Sequence, residues 1–402
     1  MKKHILFVDD DPLQLGLYTL MLEDEAGDWE VDQAVGSREA LGKLDSNRFD
    51  VVVSDLRMAG MDGVELMTEI CRRHPQMSRI VISGIDDQEE IARCLETTHQ
   101  FLAKPVRGSE LLATLACIRR LDAYLQDDKL KALVGKLNAL PSFPSTYLKV
   151  MKEINSDEPS VEIIAEIVAR DPALTAKVLQ VANSAAFGLA QKVSSPFEAV
   201  QFLGLAAIRS IALSAHVFSN FERVPIPGFS VRHLWDDALR CAGIVRAIMR
   251  MERADEGPTE DACTAAMLRN AGKLMLARTF PQLYRQAVEL ADRRHLTLPE
   301  AEQEIFDATS ASVAAYLFGL WGLSAPMVDA VAFHLQPGKS DAAAFGPLAA
   351  VHVANVFAGK FSADKPPGKP VELDIDFLAR LGLQQRLTAW RSEIEDVSTV
   401  EA

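Results

Sequence analysis

Short apolar runs alternate with amphipathic stretches through the first hundred residues of the chain. The runs fall at 4–8, 30–34, 50–54, 79–83 and 100–103, and stretches of helical spacing lie between them at 13–25, 38–44, 64–73 and 88–95. Strict alternation of strand and helix predicts a parallel sheet covered on both faces, because each crossover lays a helix on the sheet. Ligands of such a sheet bind at the carboxyl ends of strands, near the topological switch point. From residue 108 the pattern changes. Leu111, Leu112, Leu115, Ile118, Leu121, Leu125, Leu130, Leu133 and Leu137 recur at near-helical spacing, with neither glycine nor proline from Ser109 to Val134. This predicts a helix that closes the first domain and runs on as a connector.

Beyond Leu140 strand signals nearly vanish and helix punctuation takes over. Asp171-Pro172 reads as an N-cap followed by proline at the first helical position, and Ser195-Pro196-Phe197-Glu198 combines a capping box with the same preference. Gly204 is expected to close the helix that starts there. Further helices are predicted at 230–251, 258–278, 282–294, 299–320, 325–335, 347–360 and, after a Pro/Lys-rich linker at 364–370, at 374–395. The expected division is 1–120, a connecting helix at 109–137 overlapping its end, a helical domain at 137–360, and a linker with a C-terminal helix at 361–402.

Composition narrows the function classes. The 402 residues carry a formal charge of −14, which disfavours nucleic acid or an anionic membrane surface as the main partner, since both need a cationic footprint. Five widely spaced cysteines without a CxxC pair argue against a disulfide framework or a structural zinc site and for reduced thiols in the cytoplasm. The amino terminus meets three aspartates before an export signal could form. The most membrane-like stretch, 199–218, carries Arg209 and is interrupted by Gly204.

The chemistry concentrates at predicted strand ends. Val51-Val52-Val53-Ser54 delivers Asp55, and the first run leads straight into Asp9-Asp10-Asp11. Carboxylates gathered at one sheet edge repel one another unless a hard cation sits among them, which suggests a magnesium-type oxygen site. Ser83 ends the fourth run and Lys104 follows the fifth, so a hydroxyl and an ammonium converge on the same edge. That set suits phosphoryl transfer to a carboxylate.

Val8-Asp9-Asp10, Asp55 with Met61-Asp62-Gly63, Ser83 and Lys104-Pro105 together resemble the receiver domain of two-component response regulators. The resemblance implies a flavodoxin-like five-stranded parallel sheet of order 2-1-3-4-5. It makes Asp55 the phospho-accepting residue, and Asp9, Asp10, Asp55 and the backbone carbonyl of Arg57 the Mg2+ site. Ser83 becomes the switch hydroxyl, Lys104 the site lysine and Phe101 the aromatic switch. Ala59 departs from the family, where proline is usual after the residue matching Met58.

The segments 137–144, Asp171-Pro172-Ala173-Leu174, Val181-Ala182-Asn183-Ser184, 199–204 and Leu234-Trp235 resemble the HDOD domain, an all-helical relative of HD-type metal phosphohydrolases. Where those hydrolases need a His-Asp pair this chain has Arg269-Asn270, and Asp236-Asp237 follows Leu234-Trp235. Guanidinium has no lone pair for a metal. An ion pair from Arg269 to Asp236 or Asp237 is therefore expected in the vacated position. His334, His216 and His233 read as packing or surface residues. Arg240, Arg246, Arg250 and Arg253 form a helical line suited to an anion or, more plainly, a solvated face.

These readings imply a cytoplasmic response regulator phosphorylated by a histidine kinase, with a non-catalytic HDOD output that binds protein partners, as in cyclic di-GMP signalling, or drives homodimer formation. The rival readings are a degenerate HD phosphohydrolase acting on a nucleotide and a direct binder of a nucleotide second messenger.

Overall fold

The computed structural model describes residues 2–22, 29–83, 97–124, 145–156, 158–169, 174, 178, 196–219, 230–320, 323–360 and 367–400. The expected helix at 88–95, the cap at Asp171-Pro172 and the connector beyond residue 124 lie outside them. The chain divides into two compact units, Met1–Ser145 with Leu317–Leu323, and Thr146–Tyr316 with Ser324–Ala402.

The first unit is built on five parallel strands: β1 (Lys3–Asp9), β2 (Trp29–Val35), β3 (Val51–Asp55), β4 (Ser78–Ser83) and β5 (Gln100–Ala103). Their order is β2-β1-β3-β4-β5, as the resemblance implies. Alternation along each strand feeds two cores. Leu6, Val8, Val52 and Val81 pack beneath α2 (Ser37–Ser46) and α3 (Gly63–Arg73), where Leu44, Leu66 and Ile70 close the layer. Ile5, Phe7, Val53 and Ile82 face α1 (Pro12–Met21) and α4 (Gly108–Tyr124), through Leu15, Tyr18, Leu111 and Leu115. Burial on both faces explains why the strands read as continuous apolar runs.

Register places the site. Val8 pairs with Ser54, so the next residues, Asp9 and Asp55, end side by side. Asp55 pairs with Ile82, one residue before Ser83, and Ser83 pairs with Ala103, one residue before Lys104. Sequence order departs to either side of β1 between β2 and β3, which makes this edge the switch point.

In the second unit three expected helices are each broken in two. The predicted 258–278 helix is α9 (Glu256–Leu268) followed by α10 (Ala271–Thr279). The break falls at Arg269-Asn270, where the Arg269 Nη1 donates back to the Ala266 carbonyl at 2.7 Å and the Lys273 amide closes a tight turn onto the Asn270 carbonyl at 3.1 Å. The predicted 299–320 helix is α12 (Leu298–Phe306) and α13 (Ser310–Leu320), interrupted at Asp307, which takes a left-handed φ of 54°. Buried Glu302 holds the turn by accepting the Ser310 amide at 2.7 Å. The predicted 374–395 helix is α16 (Ile375–Arg380) and α17 (Arg386–Val400), separated by the C-cap Leu381 and a left-handed Gly382, φ 71°.

The remaining described helices are α5 (Ser145–Ile154), α6 (Val161–Ala169), α7 (Pro196–Ser219), α8 (Val231–Met251), α11 (Pro281–Arg294), α14 (Ala325–Phe333) and α15 (Pro347–Lys360). Gly204 breaks the helical geometry inside α7 without ending it, so the chain resumes helix where a stop was expected. Among the described residues no helix is long and apolar enough to cross a membrane.

Candidate functional site

Three carboxylates meet at the carboxyl edge of the sheet. One oxygen each from Asp9, Asp10 and Asp55 lies within 4.8 Å of the others, Asp9 and Asp55 buried and Asp10 exposed. Local capping fixes the loops that carry them. Asp11 caps α1 by accepting the Leu13 amide at 2.9 Å, and Asp62 caps α3 by accepting the Glu65 amide at 2.8 Å. The Ala59 amide donates to Asp10 Oδ2 at 3.0 Å and ties the loop after Asp55 to the end of β1. This contact needs a backbone N–H at residue 59, which alanine supplies and the family's usual proline, if aligned there, would lack. Gly63 is required sterically: a Cβ there would stand 2.4 Å from the Asp55 carbonyl oxygen and 2.8 Å from the Leu56 Cα.

Lys104 Nζ lies 2.7 Å from Asp55 Oδ1. Asp9 accepts the Asp11 amide on Oδ1 at 2.9 Å, while its Oδ2 is buried without a hydrogen-bond partner. Burial raises the Asp9 carboxyl above its ordinary pKa, and the charges of Asp55 and Asp10 add to that. Burial also raises the Tyr18 phenol beneath the site, with further contributions from Asp9, Asp55 and Asp11. An unsatisfied buried oxygen among hard carboxylate donors suits Mg2+, which takes oxygen ligands and offsets their repulsion. Asp9, Asp10 and Asp55 would hold it, with Arg57 two residues past Asp55 on the same loop, its side chain exposed.

Ser83 and Phe101 stand at the end of β4 and within β5, and their side chains lie outside the described set. The backbone register alone brings Ser83 to the edge that Asp55 and Lys104 occupy.

In the helical unit Arg269 and Asn270, expected to stand where the hydrolases carry their His-Asp pair, are held in a closed polar network. The Arg269 guanidinium is buried and every nitrogen is engaged: Nε donates to Asn355 Oδ1 at 2.8 Å, Nη1 to the Ala266 carbonyl, and Nη2 to the carboxylate and carbonyl of Asp237. Asn270 Nδ2 donates to the same carboxylate oxygen at 3.0 Å. Of the two acids the sequence offered, Asp237 is the one that pairs with Arg269. Asn355 on α15 gave no sequence signal, because a lone asparagine in an apolar helix carries no motif.

His334 is buried beside this cluster, and burial, with Arg269 and Lys273 nearby, pushes it down to about 3. Its Nδ1 lies 2.8 Å from the Val331 carbonyl oxygen. A second histidine, His352, hydrogen-bonds the His334 carbonyl oxygen through Nδ1 at 2.7 Å and accepts the Asp374 amide on Nε2 at 2.9 Å. On the arginine line, Arg250 pairs with Glu393 at 2.7 Å. The side chain of His216 lies outside the described residues.

A 2-1-3-4-5 parallel sheet with a carboxylate cluster and a lysine at its switch point defines a receiver-type module. Comparison with known families makes the assignment particular: residues 5–116 match the response regulator receiver domain and residues 140–337 the HDOD domain. The chain joins a response regulator receiver domain to an HDOD domain. Over 104 residues it is 38% identical to the transcriptional regulatory protein GlrR of Escherichia coli (strain K12), covering 26% of this chain and 23% of that one. Over 230 residues it is 21% identical to an uncharacterized protein of Treponema pallidum (strain Nichols), covering 57% of this chain and 44% of that one. The chain thus spans less than half the length of these curated relatives. The crystal structure of an HDOD domain protein of unknown function from Geobacter sulfurreducens matches 68% of this chain and 96% of its own length, with a TM-score of 0.55 at 21% identity, which shows a shared fold.

Proposed function

We propose that the protein is a phosphorylation-switched regulator in which Asp55 accepts a phosphoryl group from a histidine kinase. The observation that carries this reading is the pairing of Lys104 Nζ with Asp55 Oδ1 at 2.7 Å, opposite the partnerless Asp9 oxygen. An oxygen of Asp55 attacks phosphorus as the P–N bond to the donor imidazole breaks, and the imidazole leaves with the bond's electron pair. Lys104, already held at the acceptor, neutralises charge on the phosphoryl oxygens. Asp9 and Asp10, with Asp55, would hold Mg2+, which would supply further neutralisation of the phosphoryl charge when bound. Ser83 and Phe101 are the switch residues of this reading. The apolar line of Leu13, Leu17 and Leu20, 77%, 47% and 59% exposed on α1, offers a partner a surface beginning at the acidic site.

The HDOD unit is read as non-catalytic, because Arg269 presents no lone pair and holds Asp237 where a ligand pair would stand. Its output is contact with another signalling protein, cyclic di-GMP enzymes being one class, or with a second copy of the chain, in the cytoplasm. The test is analytical sedimentation and partner capture with full-length protein, with and without beryllofluoride and Mg2+, beside Asp55→Asn. A response in wild type alone supports the reading, and equal behaviour of the two proteins overturns it.

A further inference from the structure

Two carboxylates lie near Lys273 on α10, and both are committed elsewhere. Asp237 accepts hydrogen bonds from Arg269 and, at 3.0 Å, from Asn270. Glu302 is fully buried and accepts the Ser310 amide at 2.7 Å on one oxygen and the Tyr284 hydroxyl at 3.3 Å on the other. Lys273 is left over: its side-chain nitrogen has neither a hydrogen bond nor an ion pair among the described residues. The side chain is half-buried rather than sealed, so a small solute reaches it. Burial pulls the amine below its ordinary pKa, and nearby Arg269 adds to that, against the opposing charges of Glu302 and Asp237. Glu302 opposes weakly, since burial raises its own carboxyl. His334, whose ring feels the Lys273 charge, is held neutral by burial. At neutral pH a larger share of Lys273 is therefore free amine than of a lysine in water, and the free amine is the nucleophile.

We propose that Lys273 is a site of covalent modification by a small acyl phosphate. The Nζ lone pair attacks the carbonyl carbon and the bond from that carbon to the phosphate oxygen breaks. Phosphate leaves with the bond's electron pair and takes up the proton that the nitrogen sheds. The product is an amide, so the positive charge cannot return. An acyl phosphate offers two electrophilic centres: phosphorus suits a carboxylate such as Asp55, and the carbonyl carbon suits an amine. The Lys273 step uses only the second and does not depend on the reading of Asp55. Its consequence is local. The preceding residue, Gly272, runs so close to the start of α13 that a Cβ there would stand 1.9 Å from the Ser310 carbonyl oxygen, so an acyl group on Lys273 adds bulk beside a close helix approach.

The test incubates the full-length protein with acetyl phosphate and reads acetylation of each lysine by peptide mass spectrometry, with exposed Lys152 and Lys339 as references. Near neutral pH Lys273 should react faster than either by about threefold or more, because the gain in free amine outweighs the accompanying fall in nucleophilicity. Raising the pH toward about 10.4, where ordinary lysines lose their protons, should shrink that ratio. In protein unfolded by urea the three lysines should react alike, because the fold creates the difference. Equal or slower reaction at Lys273 in the folded protein overturns the proposal. So does a ratio that is unchanged at the higher pH, or one that survives in urea.

Discussion

Arg269 and Asp237 form an ion pair whose guanidinium is wholly buried while the carboxylate side chain keeps 25% of its exposure. The asymmetry sets the consequence of breaking it. Asp237→Ala would strand a buried, permanently charged group with only neutral acceptors, and should cost about 3–5 kcal/mol of stability. Arg269→Met removes the charge together with its need for a partner, and leaves Asp237 with Asn270 and access to water. It should therefore cost clearly less. Urea denaturation of the two variants decides this, and equal losses would mean that the guanidinium does not depend on Asp237.

A different sensitivity attaches to His334. Its folded pKa is lowered from 6.5 to about 3 by burial, so the folded state holds it neutral. Unfolded chains take up the proton first as pH falls below 6.5, so stability is full above that value and is lost on the way down to about 3. At pH 4.5 this single group accounts for a loss of about 2–3 kcal/mol relative to pH 7. Urea midpoints at the two pH values should therefore differ more in wild type than in His334→Gln. An identical pH dependence in the two proteins would remove the histidine from the account.

At the phosphoryl site the most restrictive position is Gly63 rather than a charged residue. A Cβ there stands 2.4 Å from the Asp55 carbonyl oxygen, so Gly63→Ala must displace the loop that carries the acceptor. It should destabilise the protein by about 1–3 kcal/mol, as overpacking does. It should also slow phosphorylation by a small-molecule donor, read as a mobility shift on a phosphate-binding gel. Met61→Ala, two residues earlier and 38% exposed, should leave both unchanged.

The receiver site was legible in the sequence because its residues end strands. Once Val51–Asp55 and Lys3–Asp9 are strands of one parallel sheet, register alone sets Asp55 beside Asp9. The helical unit was less legible. Helical periodicity runs straight through Arg269-Asn270 and Asp307, since these breaks are held by side-chain bonds that apolar spacing does not register: Arg269 to Ala266 and Asn355, and Glu302 to the Ser310 amide. Gly382, with its φ of 71°, is a helix-stop signal inside the expected 374–395 helix. The ion pair itself was expected from the chemistry, while the choice of Asp237 over Asp236 depends on the rotation of α8, which spacing does not fix.

The sequence also left open what the segment after Pro370 packs against. Trp390 answers this for the helical unit: it is fully buried, and its Nε1 donates to Glu252 Oε1 at 2.8 Å. Arg386 Nε donates to the same oxygen at 2.7 Å, and Glu252 follows α8 directly as its C-cap, so α17 is fastened to the end of α8. Packing and hydrogen bonding at this position separate by mutation. Trp390→Ala empties a large buried volume and should cost about 3–5 kcal/mol. Trp390→Phe keeps most of the apolar contact and loses one donor to a carboxylate that Arg386 still satisfies, and should cost about 1 kcal/mol from the hydrogen bond. Urea denaturation followed by far-ultraviolet circular dichroism measures both. If Trp390→Ala proved as mild as Trp390→Phe, α17 would not be docked on α8 in solution, and removal of residues 386–402 should then leave the unfolding midpoint of the helical unit unchanged.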